Sequence, residues 1–104
     1  MTETEFNQAV DAIFFKIEAA LDARDTAIDY ETNAGILTLE FVDGSKIIIN
    51  RQNATQEIWV AAKSGGYHYR WDREAWRNTR EESELLTSLT TYIHQQSGED
   101  IQLS

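Results

Sequence analysis

Glu57-Ile58-Trp59-Val60-Ala61-Ala62-Lys63 is the stretch on which the fold turns. Its residues alternate in character, as a strand with one wet and one dry face requires. Ile58, Val60 and Ala62 fall on one side and point to a core. Glu57, Trp59, Ala61 and Lys63 fall on the other. Trp59 thus stands on the face that its polar neighbours assign to water. A Trp ring carries roughly 150–250 Å² of mostly apolar surface, and at about 25 cal/mol/Å² its exposure is expensive. Exposure is tolerable where a partner covers the ring. Packing on neighbours in the same sheet is the alternative, and the pattern alone leaves both open.

Outward from this strand the alternation continues in both directions. Gly65-Gly66 marks a turn, after which Tyr67, Tyr69 and Trp71 oppose His68 and Arg70. A short strand around Ala75-Trp76-Arg77 ends the series. Upstream, residues 46–52 place Ile47 and Ile49 inward and Ile48, Asn50 and Gln52 outward. Asp43-Gly44 is a hairpin signal, preceded by a strand with Leu37, Leu39 and Phe41 inward. Asn33-Ala34-Gly35 turns the chain, and Ile28-Asp29-Tyr30-Glu31-Thr32 reads as a first, edge strand. The outward residues Asn50, Gln52, Trp59, His68 and Arg70 combine an aromatic ring with amides, an imidazole and a guanidinium. That is the make-up of a protein-binding hot spot.

A helix closes each end. Thr2-Glu3-Thr4-Glu5 is a capping box, and Phe6, Val10, Ile13, Phe14, Ile17 and Leu21 form an apolar stripe over residues 3–22. Thr79-Arg80-Glu81-Glu82 reads as a second capping box. It precedes a helix striped by Leu85, Leu86, Leu89, Tyr92 and Ile93, which Gly98 should end. Ile101 and Leu103 could then cover a groove between the helices. The fold class expected is α+β, a two-layer α/β sandwich with two helices packed on one face of an antiparallel sheet.

Composition narrows the function classes. A chain of 104 residues with no linker-like segment is expected to form one domain. Eighteen acids against nine basic residues give a net charge of −9, which disfavours nucleic acid and favours cations or basic protein surfaces. The chain has no Cys, so thiolate metal sites and thiol catalysis are excluded. No apolar run approaches the about 20 residues that span a bilayer, and an acidic, helical N-terminus argues against a targeting peptide. A bacterial cytoplasmic protein is expected.

The acids are concentrated. Residues 1–31 hold eight acids against Lys16 and Arg24, so −6 of the total −9 lies there. Asp11, Glu18 and Asp22 share one side of the first helix, with Phe15 among them, and Asp25 follows just beyond its end. Asp29 and Glu31 alternate with Ile28 and Tyr30, where an edge strand could set them beside Asp22 and Asp25. Like charges about 6 Å apart repel by somewhat under 1 kcal/mol each in water, and Asp22 is poorly placed near a helix C-terminus. A solvated face is the ordinary reading of an acidic helix. The concentration of charge favours a cation-attracting ridge. Its hard oxygen ligands suit Fe²⁺, Fe³⁺, Mn²⁺, Mg²⁺ or Ca²⁺ without choosing among them.

Ile47-Ile48-Ile49-Asn50-Arg51-Gln52, Ile58-Trp59-Val60-Ala61 and Gly65-Gly66-Tyr67-His68-Tyr69 resemble the signature of the frataxin family, its bacterial CyaY branch in particular. The similarity covers nearly the whole chain. It implies a single frataxin-like domain over residues 1–104, monomeric without iron. The implied role is an iron-binding accessory protein, an iron donor or regulator, in iron–sulfur cluster assembly. Such a protein binds Fe²⁺ or Fe³⁺ weakly and docks on a cysteine desulfurase and its iron–sulfur scaffold protein. By resemblance the metal-binding ridge comprises Asp11, Glu18, Asp22, Asp25, Asp29 and Glu31. The partner-binding patch comprises Asn50, Gln52, Trp59 and His68, the last at a position where other branches differ.

Two departures limit the comparison. The connection over residues 23–27 holds one acid, Asp25, and the Arg51-Gln52-Asn53-Ala54 segment lacks the proline common there. An acidic adaptor with incidental metal affinity is the alternative reading. Enzymes fare worse. No Glu-x-x-His pair accompanies His68 or His94, and no phosphate loop or Ser/His/Asp context is present. His94 reads as a solvated helix residue, and a ferroxidase-type enzyme would lack an enclosed site.

Overall fold

The computed structural model describes residues 1–103. The first helix, α1 (Glu3–Asp22), starts where the capping box places it. The Thr2 hydroxyl accepts from the Glu5 amide at 3.1 Å, and the Glu5 carboxylate accepts from the Thr2 amide at 2.8 Å. Phe6, Val10, Phe14, Ile17 and Leu21 are buried along one stripe. The last helix, α2 (Leu85–Ser97), buries Leu85, Leu86, Leu89, Tyr92 and Ile93. It ends at Gly98, whose φ of 76° closes the final turn in the left-handed conformation that glycine adopts without strain.

Six strands lie between them: β1 (Asp29–Asn33), β2 (Ile36–Glu40), β3 (Lys46–Gln52), β4 (Glu57–Ala62), β5 (Gly65–Trp71) and β6 (Trp76–Asn78). They form one antiparallel sheet in chain order, as short consecutive turns dictate. The register sets Leu37 beside Ile49 and Ile49 beside Val60, and sets Leu39 beside Ile47 and Ile58 beside Tyr69. These side chains join the stripes of both helices in one core. The opposite sheet face is left open. This is the expected two-layer sandwich. Ile101 and Leu103 are buried in the same core, so the tail completes it. Thr26 donates to the Glu99 carboxylate at 2.9 Å, tying the tail to the connection after α1.

The start of α2 departs from the sequence reading. Thr79-Arg80-Glu81-Glu82 does not cap a helix. The buried Asn78 side chain accepts from the amides of Arg80 at 2.8 Å and Glu81 at 3.1 Å, satisfying donors that a helix start would leave open. Glu82 then takes a φ of 62°, which interrupts any helical run. The cap is Glu84, whose carboxylate accepts from the amides of Leu86 and Thr87.

Candidate functional site: the open sheet face and the acidic edge

Antiparallel register lines the outward residues up in rows across the strands. One row runs Ile36, Asn50, Trp59, His68, and the next runs Gln52, Glu57, Arg70, Arg77. A third runs Glu31, Thr38, Ile48, Ala61. Asn50, Gln52, Trp59 and His68 are thereby brought together. Trp59 is half-buried, and its indole stacks on the His68 imidazole with centroids 4.4 Å apart and planes 9° from parallel. Its Nε1 donates to Glu57 Oε1 at 2.8 Å. The ring packs on its sheet neighbours, His68 above all, while its position fronts the open face.

Glu57 corrects the sequence reading. Alternation assigns it to the wet side, yet it is only 6% exposed. The Trp59 indole on one oxygen and Arg70, donating to the other at 2.7 Å, account for this, with His68 Nδ1 at 3.7 Å. Burial pushes the Glu57 carboxyl up, but the bonds from Trp59 and Arg70 and the charge of Arg70 outweigh it. The group is held below the usual carboxylate range and stays ionised. A buried charge is costly unless its lone pairs are used, and here they fix the Trp59 ring. The clue available in sequence was the Glu57-x-Trp59 spacing. Residues i and i+2 share a strand face, within reach of a carboxylate and an indole.

The acids occupy two surfaces rather than one. Glu18 and Asp22 face the sheet edge from α1, where they meet β1 through hydroxyls rather than through charge. Thr32 donates to Glu18, and the Tyr30 hydroxyl donates to both oxygens of Asp22 at 2.8 Å. The bond to Asp22 raises the Tyr30 hydroxyl above its ordinary range. Asp29 and Glu31 are exposed and alternate away from Tyr30 and Thr32, onto the open face. The expectation that β1 sets its carboxylates beside Asp22 and Asp25 is therefore corrected. Asp25 is exposed in the connection.

Asp11 is not free: it pairs with Arg51. Arg51 also donates to Asn7 at 2.9 Å, and Asn53 joins the same Asn7 oxygen at 3.1 Å. This ties the proline-free segment after β3 to α1, a link that sequence did not reveal. Among the described residues, no group of three or more His, Asp or Glu side chains is gathered to hold a metal ion. The oxygens fit a hard cation by type but form no cage. An ion attracted here would keep most of its water. His94 pairs with Asp100 at 2.9 Å beside the end of α2.

A sheet of six antiparallel strands, helices on one side and an aromatic-centred polar patch on the other, defines a frataxin-like sandwich. The chain belongs to the frataxin family, in its bacterial CyaY branch: the family model described as a frataxin-like domain matches residues 1–99. An iron–sulfur cluster assembly protein CyaY of Dechloromonas aromatica is 47% identical over 104 residues, 99% of each chain. Its counterpart in Vibrio cholerae is 48% identical over 101 residues, 97% of each. The solved frataxin of Psychromonas ingrahamii superposes with a TM-score of 0.95 at 36% identity, covering 100% of this chain and 99% of its own. A trimeric frataxin of Saccharomyces cerevisiae, complexed with ferrous iron, shares the fold at a TM-score of 0.72 and 24% identity, over 95% of this chain and 88% of its own.

Proposed function

We propose that this chain is an iron-binding accessory protein of iron–sulfur cluster assembly, a donor or regulator of iron. It binds Fe²⁺ or Fe³⁺ weakly through exposed carboxylates and docks on the cysteine desulfurase–scaffold complex in the bacterial cytoplasm. The names of its full-length relatives supply the pathway. One observation carries the reading: Asp29 and Glu31 open onto the same sheet face as Trp59. Three strand spacings, roughly 14 Å, separate the Glu31 position from Ala61, next to Trp59. The about 800 Å² that one partner covers in an ordinary interface is a patch roughly 30 Å across, so both lie well within it. A single basic partner can therefore meet the β1 carboxylates and the Trp59 patch together, while Asp22 and Asp25 hold a hydrated cation at the rim.

Neutralising Asp22, Asp25 and Asp29 together tests this, with Fe²⁺ and the desulfurase titrated separately. Loss of both affinities is the expected result, and unchanged iron affinity would remove these carboxylates as the metal site. Trp59→Ala is expected to weaken the desulfurase–scaffold interaction and leave iron affinity alone. A second reading, an acidic adaptor with incidental metal affinity, draws support from the hydrogen bonds that Glu18 and Asp22 already accept. It predicts that the triple variant loses only the desulfurase. We read the chain as non-enzymatic. Anaerobic Fe²⁺ admitted to oxygen with sub-stoichiometric protein should oxidise no faster than alone, and acceleration would favour a ferroxidase.

A further inference from the structure

We propose a second docking groove, distinct from the Trp59 face and independent of the function proposed above, that takes a basic amphipathic helix of a partner protein. The outer side of α1 carries Ala12, Phe15 and Ala19, and the groove they form with Trp71, Trp76 and Leu85 encloses about 520 Å³. Phe15 is 71% exposed, an apolar ring left in water at the lip of an apolar trough. Small alanine side chains let another backbone come close, which suits a helix laid along α1. A strand is a poorer occupant, because the edge beyond β6 is already taken. Arg77 bridges to Glu84, and the Asn78 amide donates to the Ser83 carbonyl at 2.8 Å.

Charge selects the occupant further. Glu74 and Glu84 line one side of the groove, against Lys16. A helix with Lys or Arg along one flank of its apolar stripe meets Glu74 and Glu84 there, with its uncharged flank toward Lys16. A second copy, itself carrying −9, would be repelled, and so would an anionic membrane.

The three tryptophans make the test direct, since Trp59 reports the sheet face while Trp71 and Trp76 report the groove. The ¹⁵N-labelled full chain is titrated with a synthetic peptide of leucine and lysine at helical spacing. The control peptide has the same composition in strict alternation. Saturable shifts at the Trp71 and Trp76 indoles and the Ala12, Phe15 and Ala19 amides, with the Trp59 indole unmoved, are expected for the helical peptide alone. Phe15→Glu should weaken binding at least tenfold even though it adds negative charge, and Phe15→Ser should do the same. Thermal melts check that both variants fold, as the exposure of Phe15 predicts. Equal response to the alternating peptide, shifts confined to the acids of α1 and β1, or undiminished binding by a folded Phe15→Glu would overturn the groove. A dimer of the free chain in sedimentation would overturn the choice of partner.

Discussion

Replacing Glu57 by alanine should cost stability out of proportion to its place on the open side of the sheet. The carboxylate receives the Trp59 indole at 2.8 Å and the Arg70 guanidinium at 2.7 Å. Hydrogen bonds to a charged group are worth about 1.5–3 kcal/mol when buried. The Arg70 side chain is 65% exposed, so its share falls to the ~0.2–1 kcal/mol of a surface pair. The bond from half-buried Trp59 keeps most of its value. Removing the carboxylate also removes its desolvation cost, leaving a net loss of about 1–3 kcal/mol. At about 4–8 °C per kcal/mol for a domain of this size, the melting temperature should fall by roughly 5–20 °C. Calorimetry on Glu57→Ala, Trp59→Phe and the double variant gives the coupling, expected near ~1 kcal/mol or more because the two groups touch. Glu57→Gln, which keeps an acceptor for the indole, should recover about half of the loss. A melting point unchanged within about 2 °C, with strictly additive variants, would show that Glu57 does not hold the ring.

Acid should release the same contact. The Glu57 carboxyl is lowered in the folded chain, so between that value and the unfolded one, about 4.3, the unfolded state binds more protons. Its stabilisation is complete above the unfolded value and is lost as pH falls through the folded one, and denaturant midpoints of Glu57→Gln should show a shallower acid slope. Ile101→Ala with Leu103→Ala empties two buried positions, at about 2–5 kcal/mol each. That is a large share of the ~5–15 kcal/mol typical of a domain, and a melting point close to wild type would contradict a packed tail. Arg51→Ala removes the partner of Asp11, a bond to Asn7 and the guanidinium 5.7 Å from the Phe14 ring. Urea unfolding should register about 1–3 kcal/mol, and no change would mean that the link between β3 and α1 is idle.

The sandwich was legible because its signals are local and repeated. The α1 stripe, the Thr2 capping box, the alternation of Ile47 and Ile49, and Gly98 each state their own geometry. The start of α2 escapes the pattern because a capping-box sequence competes with a side chain outside it: Asn78 takes the amides, and Glu84 becomes the cap. On the open face, alternation names the residues but not what covers them. Glu57 is buried by groups from two strands, and that follows from register rather than from strand pattern. The Asp11–Arg51 pair joins positions 40 apart in sequence, beyond the reach of any spacing rule. Tyr30 and Thr32, rather than the β1 carboxylates, meet α1. The alternation of β1 implied it once the strand's inner face was fixed by Leu37 and Leu39.

Line broadening of the ¹⁵N-labelled chain during an anaerobic Fe²⁺ titration tests the central proposal most directly. The paramagnetic ion should first erase the amides around Glu18, Asp22, Asp25, Asp29 and Glu31, reversibly on chelation, while those around Glu57 and Arg70 persist. Broadening that begins elsewhere, or none at millimolar iron, would contradict it.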